Sequence, residues 1–244
     1  ASVACIKPAP MTRSIPGRRE RLREAALAEI HRTARRLLVD GGPDAITISA
    51  IARVMGVSAP ALYPYYPSHR DLVAAMASQL YDELAHQIAS EREDASISSS
   101  AAPLLAMCRA MRTWAIAHPA EFRFLFASPF LAEASNAGSA FGGLFLDEVA
   151  RIWERKPFPV PEVHALAPAL GEQLRAYSER SGARLPATAM HVFLTCWVRL
   201  CGVLSMVVLG QLGFAVTDAE PFYEQTLKEL CDILVIQYRT PTGL

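Results

Sequence analysis

The chain carries no net charge, with 24 Lys and Arg balanced by 24 Asp and Glu. Taken whole, that removes the usual mark of a nucleic-acid binder. Its five cysteines (Cys5, Cys108, Cys196, Cys201, Cys231) are odd in number, scattered and never arranged as CxxC. A disulfide framework or a thiolate zinc site is not indicated, and reduced thiols of a cytoplasmic protein are the expectation. The six histidines show no metal-ligand spacing, and HExxH, GxSxG and a Gly-rich phosphate loop are all missing. No catalytic residue, metal or cofactor is therefore assigned. No long apolar run is unbroken. The most apolar one, 192–216, is interrupted by Thr195, Arg199, Ser205 and Gln211 and punctuated by Gly202, Gly210 and Gly213. It reads as a core helix, with no membrane role. The N-terminus lacks the apolar stretch of a signal peptide.

What is present is unevenly placed. Residues 1–76 carry eleven Lys/Arg against six Asp/Glu, so a net +5 sits on a remainder of −5. One end suits an anionic partner. Residues 1–17 hold Pro8, Pro10 and Pro16 and read as a flexible basic tail. From Arg18 the periodicity is helical. Leu27, Ile30, Ala34, Leu37 and Leu38 make one apolar stripe, and Gly41-Gly42-Pro43 ends it. Thr47 offers an N-cap for a short helix, Gly56 a turn, Ser58 a second cap with Pro60 in the following first turn, and Pro64 and Pro67 a rapid end. Ser68 caps a long helix, with Leu72, Met76, Leu80, Leu84 and Ile88 on one face, leading to a polar, Ser-rich stretch over 91–100. Helical segments are then expected over 104–117, 120–126, 141–153, 163–181, 187–212 and 221–238, with a loop over 157–161. No strand is convincing, so the fold class is all-α: a three-helix N-terminal module and a larger helical bundle.

Two short helices around a glycine turn, after a longer amphipathic helix, make a helix-turn-helix. Ile48, Ile51, Ala52 and Met55 face inward, Val57 is expected to plug the angle between the helices, and Leu62 pins the second helix. At ITISAIARVMGVSAPALYPYYPSHRDLVAAM, Ile46 to Met76, the sequence resembles the TetR family of bacterial regulators. The match rests on Thr47, Ile51, Ala52, Gly56, Val57, Ser58, Leu62, Tyr63, Ser68 and Leu72. Met55 replaces the usual Ala. Tyr65 and Tyr66 stand at a His-Phe pair, and His69 stands where a phosphate-binding Lys is common.

The resemblance implies a homodimeric, sequence-specific regulator of double-stranded operator DNA, released by a small-molecule effector. It implies a DNA-binding domain over 18–66 and a ligand-binding and dimerisation domain over 67–244, joined by a connecting helix at 68–90. Thr47, Ser58, Tyr63, Tyr65 and His69 become candidates for phosphate contacts, which set register. Ser58, Ala59, Pro60 and Ala61 become candidates for reading bases, and Arg18 and Arg19 for reaching phosphates or a minor groove. The bland alternatives are core tyrosines at Tyr63 and Tyr66 and a solvated face at Arg32, Arg35 and Arg36.

Farther on, HPAEFRFLF (118–126) and Trp197 with Gly202 and Gly210 resemble a C-terminal subclass of that family, with Cys201 where a His is common. Met107, Met111, Trp114, Phe122, Phe126, Phe145, Tyr177, Phe193 and Trp197 line either an effector pocket or an ordinary core, and Trp153 belongs to the same aromatic set. Arg112, Arg175 and Arg199 lie in apolar helices and need a partner if buried, either a ligand carboxylate or a neighbour such as Glu172. Segments 187–212 and 221–238 are apolar around much of their circumference and are expected to form the dimer. A redox-responsive regulator using Cys108, Cys196 or Cys201 is the alternative, and a helical enzyme a more distant one.

Overall fold

A computed structural model describes residues 17–95, 102–127 and 136–240. Among these residues the fold is all-helical, with nine α-helices and no strand. Helix α1 spans Arg18–Gly41, α2 Ile48–Met55, α3 His69–Ala95, α4 Ala102–Ala117, α5 Pro119–Ala127, α6 Asn136–Arg155, α7 Pro168–Ser181, α8 Ala187–Val208 and α9 Glu220–Ile233. The N-terminal tail up to residue 16 and the Ser-rich stretch 96–101 lie outside the described residues.

Local signals end the helices as their chemistry requires. Gly42 sits at φ 76°, and its N–H returns to the Leu38 carbonyl at 2.9 Å. The Thr47 hydroxyl accepts from the Ala50 amide at 3.0 Å. Ser68 Oγ accepts from the Asp71 amide at 3.2 Å and donates to its carboxylate at 2.7 Å, a reciprocal cap for α3. The expected end of α3 near residue 90 moves to Ala95, because the charged turn beyond it is held by Arg92 against Glu148 at 3.7 Å.

Other boundaries shift for equally local reasons. Pro168 begins α7, and Ala167 before it is extended, so Val163–Ala165 is only a separate 3₁₀ turn. Helix α8 stops at Val208 instead of running to 212, with Gly210 in the left-handed region. Helix α9 stops at Ile233 instead of 238, because Val235 takes φ 52° and turns the chain into a strap over 234–240. Phe158, buried against Trp153 at a ring separation of 4.9 Å, anchors the loop over 157–161.

One continuous apolar core runs from Ile30 on α1 to Leu234 after α9. Helix α3 is its spine, packing on α4, α6, α5 and α1, while α8 packs on α7, α9, α4 and α5. The Tyr223 hydroxyl donates to the Cys108 carbonyl at 2.7 Å and ties α9 to α4. Helix α8 is long and apolar enough to cross a membrane by length and composition, yet its Phe193, Cys196, Leu200, Val203 and Leu204 are buried in this core. Its exposed positions are Thr195, Val198, Arg199 and Gly202, a single stripe at helical spacing.

Candidate nucleic-acid interface

The N-terminal module is assembled from a few fully buried side chains. Ile30, Ala34 and Leu38 of α1, Ile46, and Ile51 and Ala52 of α2 are at most 2% exposed, with Leu62 at 4%. Ala52 carries only a methyl group where α2 meets its neighbours. Gly56 takes φ 70°, ψ 25°, a conformation that costs an L side chain about 1–2 kcal/mol. The Val57 amide then returns to the Ala52 carbonyl at 3.0 Å and closes the turn. Val57 itself is 42% exposed, so it does not plug the inter-helix angle as expected. The tight left-handed turn rotates it outward.

The second reading element is shorter than expected. Ala59–Ala61 is a 3₁₀ turn, followed by turns through Tyr65, and not a regular helix. Pro64 has no N–H to return to Pro60, so the α-helical ladder cannot continue there. The bonds that do form run from Ala61 to Ser58, from Leu62 to Ala59, and from Tyr65 and Tyr66 to Leu62, at 2.9–3.1 Å. Ser58 is extended at ψ 145°, and its side chain makes no capping bond, so it is not the cap that its position suggested.

Each candidate DNA-contacting side chain has a definite place. Thr47, Ser58, Pro60 and Ala61 are exposed, Ala59 is half-buried, and Tyr63 is 50% exposed. Tyr65 is half-buried, with the Arg23 guanidinium 5.4 Å from its ring centre. Tyr66 is buried, and its hydroxyl lies 2.5 Å from His31 Nε2. It is a core tyrosine. Burial lowers the pKa of His31, against the opposing pull of the Gln79 side chain.

The imidazole Nε2 of His69 donates to the Ile46 carbonyl at 2.7 Å, which holds the start of α3 against the loop before α2. Arg18 and Arg19 are exposed in the first turn of α1. There they oppose the helix dipole, so they do not serve the helix itself.

For Arg35 the alternative of a merely solvated face does not hold. Its Nε donates to Glu121 at 2.8 Å and its Nη1 to Glu83 at 2.8 Å. The Trp114 indole donates to the same Glu83 at 3.2 Å, and His118 Nδ1 stands 3.4 Å from Arg35 Nη2. Glu121 is 3% exposed. Burial alone would raise the pKa of Glu83, yet hydrogen bonds from Arg35 and Trp114 hold it below the ordinary carboxylate value. This cluster joins α1 to α3, α4 and α5. Spacing could not reveal it, because Arg35 and Glu121 are 86 residues apart.

In the C-terminal helices, an apolar cavity of about 30 Å³ is walled by α4, α6, α8 and α9. Phe145, Phe193 and Trp197 line it with Cys108, Cys196 and Cys231. Met107, Met111, Trp114, Phe122 and Phe126 do not line this cavity. Phe122 stacks on Phe126 at 4.6 Å, and Tyr177 faces a surface hollow between α7 and α8.

The arginines expected to seek partners find Glu220 for Arg112, at 3.4 Å, and Glu229 for Arg199, while Arg175 is exposed. Among the described residues Glu172 pairs with none of them. Burial raises the thiols of Cys196 to about 11, of Cys201 and Cys231 to about 12, and of Cys108 further still. Thiolate is scarce at neutral pH, which leaves the redox reading without chemical support. Among the described residues no group of three His, Cys, Asp or Glu could hold a metal ion.

A buried scaffold from α1, α2 and the start of α3 that presents an exposed turn beside a basic helix end, on a larger helical body, has the layout of a helix-turn-helix module. Comparison with known proteins specifies the family. The profile described as "Bacterial regulatory proteins, tetR family" matches residues 30–76, and "Tetracyclin repressor-like, C-terminal domain" matches 104–230. The chain belongs to the TetR family and is a DNA-binding transcriptional regulator. It is 27% identical over 203 residues to the HTH-type transcriptional regulator Rv1816 of Mycobacterium tuberculosis, covering 81% of this chain and 86% of that one. The Mycobacterium bovis regulator Mb1846 matches equally. Among solved structures, the regulatory protein SCO4313 is similar at a TM-score of 0.68 and 25% identity, over 88% of this chain and 100% of that one. A tetR family transcription regulator from Shewanella sp. PV-4 shares the fold at a TM-score of 0.57 and 16% identity, over 87% and 98%.

Proposed function

We propose that the protein is a homodimeric, ligand-responsive repressor that releases operator DNA when an apolar small molecule occupies its C-terminal helices. The reading unit is taken as residues 18–66 and the ligand-binding and dimerisation unit as 67–244, with α3 as the connection.

The observation that carries the DNA-reading part is the exposed turn Ser58–Tyr63 standing on a buried scaffold. Thr47, Tyr63 and Tyr65 supply hydroxyls to phosphates, which set register. His69, exposed at the start of α3, is the remaining phosphate candidate. Ser58, Ala59, Pro60 and Ala61 bring a small apolar surface to the bases, suited to thymine methyl groups. Arg18 and Arg19 extend the contact along the backbone.

The dimer part rests on the uncovered apolar side of α8 and its surroundings. Val198 is 66% exposed, Leu209 42%, Phe214 87% and Phe222 47%. A second copy of α8 and α9 would cover them in a four-helix arrangement. Dimerisation would also place two reading turns about one helical turn of DNA apart, roughly 34–36 Å.

The test is a binding selection on random duplex DNA, then a metabolite screen for release from the selected site. A palindromic site released by an apolar compound is expected. A single half-site, or binding that no compound alters, would overturn the dimer or the ligand-responsive part respectively.

A further inference from the structure

At about 30 Å³ the apolar cavity is closed to any organic ligand, since a cavity of about 150 Å³ is what accommodates benzene. A ligand must therefore move a wall. One wall residue is unlike the others. Leu234 lines both this cavity and a separate outer hollow of about 130 Å³, which is shared with Val235, Ile236 and Gln237 of the strap and Ile152 and Arg155 of α6. Leu234 is the side chain common to both, so its displacement would join the two spaces.

The backbone at that point is loaded for such a movement. The Ile236 amide returns to the Cys231 carbonyl at 3.0 Å and the Val235 amide to Asp232 at 3.2 Å. This is a Schellman-type helix end with Val235 at φ 52° in the position that glycine usually takes. A β-branched residue there is strained.

The strain is held by a clamp at the far end of the strap. Arg109 donates to both oxygens of Glu224, at 2.9 and 2.7 Å, and to the Arg239 carbonyl at 2.6 Å. The Tyr238 hydroxyl donates to the same Glu224 at 2.8 Å, and the Arg109 guanidinium lies 5.9 Å from the Tyr238 ring centre. Arg109 follows Cys108, a cavity wall residue, directly on α4. Door and clamp therefore share their helices with the cavity.

We propose that this cavity binds a compact, uncharged hydrophobe, and that the strap 234–240 is its door, with Leu234 as the leaf and Arg109–Glu224–Tyr238 as the catch. The lining chooses the ligand class. Apolar side chains and protonated thiols make up the inner lining and offer nothing to pair with a charge, while Arg155 and Lys156 line only the outer hollow. The proposal rests on the ligand-responsive reading for its biological role, but its test does not.

The test follows quenching of tryptophan fluorescence by the uncharged single-ring probe iodobenzene, Trp197 being a wall of the cavity, on full-length protein by stopped flow. Arg109→Gln should raise the association rate about tenfold, the kinetic weight of one charge-assisted hydrogen bond. Tyr238→Phe, a milder change at a half-buried side chain, should raise it less. Val235→Gly should slow it by relaxing the closed form. Leu200→Trp, or Cys231→Leu if that variant does not fold, should fill the cavity and remove saturable binding. No probe binding to the unaltered protein, equal association rates across the strap variants, or binding that survives cavity filling would each overturn the proposal. Gated probe binding with unchanged operator affinity would sustain the door and overturn the ligand-responsive reading instead.

Discussion

Arg35→Met separates the cluster between the reading module and the helical body from ordinary surface charge. Glu121 is 3% exposed, and Arg35 is the cation in hydrogen-bond contact with it, at 2.8 Å. Breaking a buried pair from one side costs about 3–5 kcal/mol when both partners are buried. The Arg35 side chain is 33% exposed, so water relieves part of that loss, and about 2–3 kcal/mol is the expected range here. For a chain of this size the shift in melting temperature is roughly 2–4 °C per kcal/mol, so a fall of about 4–12 °C is predicted. Thermal unfolding by circular dichroism reads it. The double variant Arg35→Met/Glu121→Gln should recover a large part of the loss, because no uncompensated charge then remains buried. A fall under about 1 °C for Arg35→Met, or strict additivity in the cycle, would refute this account. Since α1 belongs to the reading module, hydrogen exchange in α1 should also quicken in the single variant.

Other outcomes follow from the same geometry. Gly56→Ala should destabilise the module by about 1–2 kcal/mol by denaturant titration, and the cause is purely conformational, because nothing lies within 4 Å of an added Cβ. The folded-state pKa of Glu83 lies below its unfolded value, so its contribution is present above the ordinary carboxylate range and fades as pH falls through the lower folded value. Unfolding free energy measured from pH 6 to pH 3 should therefore decline less steeply in Glu83→Gln than in the unaltered protein. Val198→Arg places a charge on the most exposed apolar position of α8 and should yield monomers by sedimentation with an unchanged far-ultraviolet spectrum. A dimer that persists would move the interface elsewhere.

How far the sequence anticipates the structure depends on the range of the interaction. Thr47, Gly56 and Ser68 act within a few residues of themselves, and the structure uses them as caps and turn where the pattern puts them. The apolar stripe of α1 is buried for the same reason: a 3.6-residue period needs no knowledge of the rest of the fold. Ser58 and Val57 are also local, yet their expected roles fail. The left-handed turn at Gly56 points Val57 outward, and two prolines four apart turn the following helix into 3₁₀ and turn geometry, which leaves Ser58 without a capping bond.

Long-range pairings were out of reach. Arg35 with Glu121 and Arg109 with Glu224 join residues 86 and 115 apart, and each participant looks like an ordinary charged position on an amphipathic helix. The strap over 234–240 continues an apolar helical period. Only the tertiary clamp explains why it leaves the helix at Val235. In the aromatic set, Phe145, Phe193 and Trp197 face the cavity while Phe122 stacks on Phe126. Residue type is the same in both groups, so the distinction lies in which helices meet.

The central claim is that the exposed Ser58–Tyr63 turn and the basic start of α1 read duplex DNA. The salt dependence of operator affinity tests it most directly, measured by fluorescence anisotropy on a selected duplex. For a dimer making roughly 6–10 phosphate contacts, affinity should fall by about 10³–10⁵ between 50 and 200 mM salt. Tyr63→Phe should weaken binding at every salt concentration without lowering the melting temperature. A flat salt response, with Tyr63→Phe indistinguishable from the unaltered protein, would contradict the account.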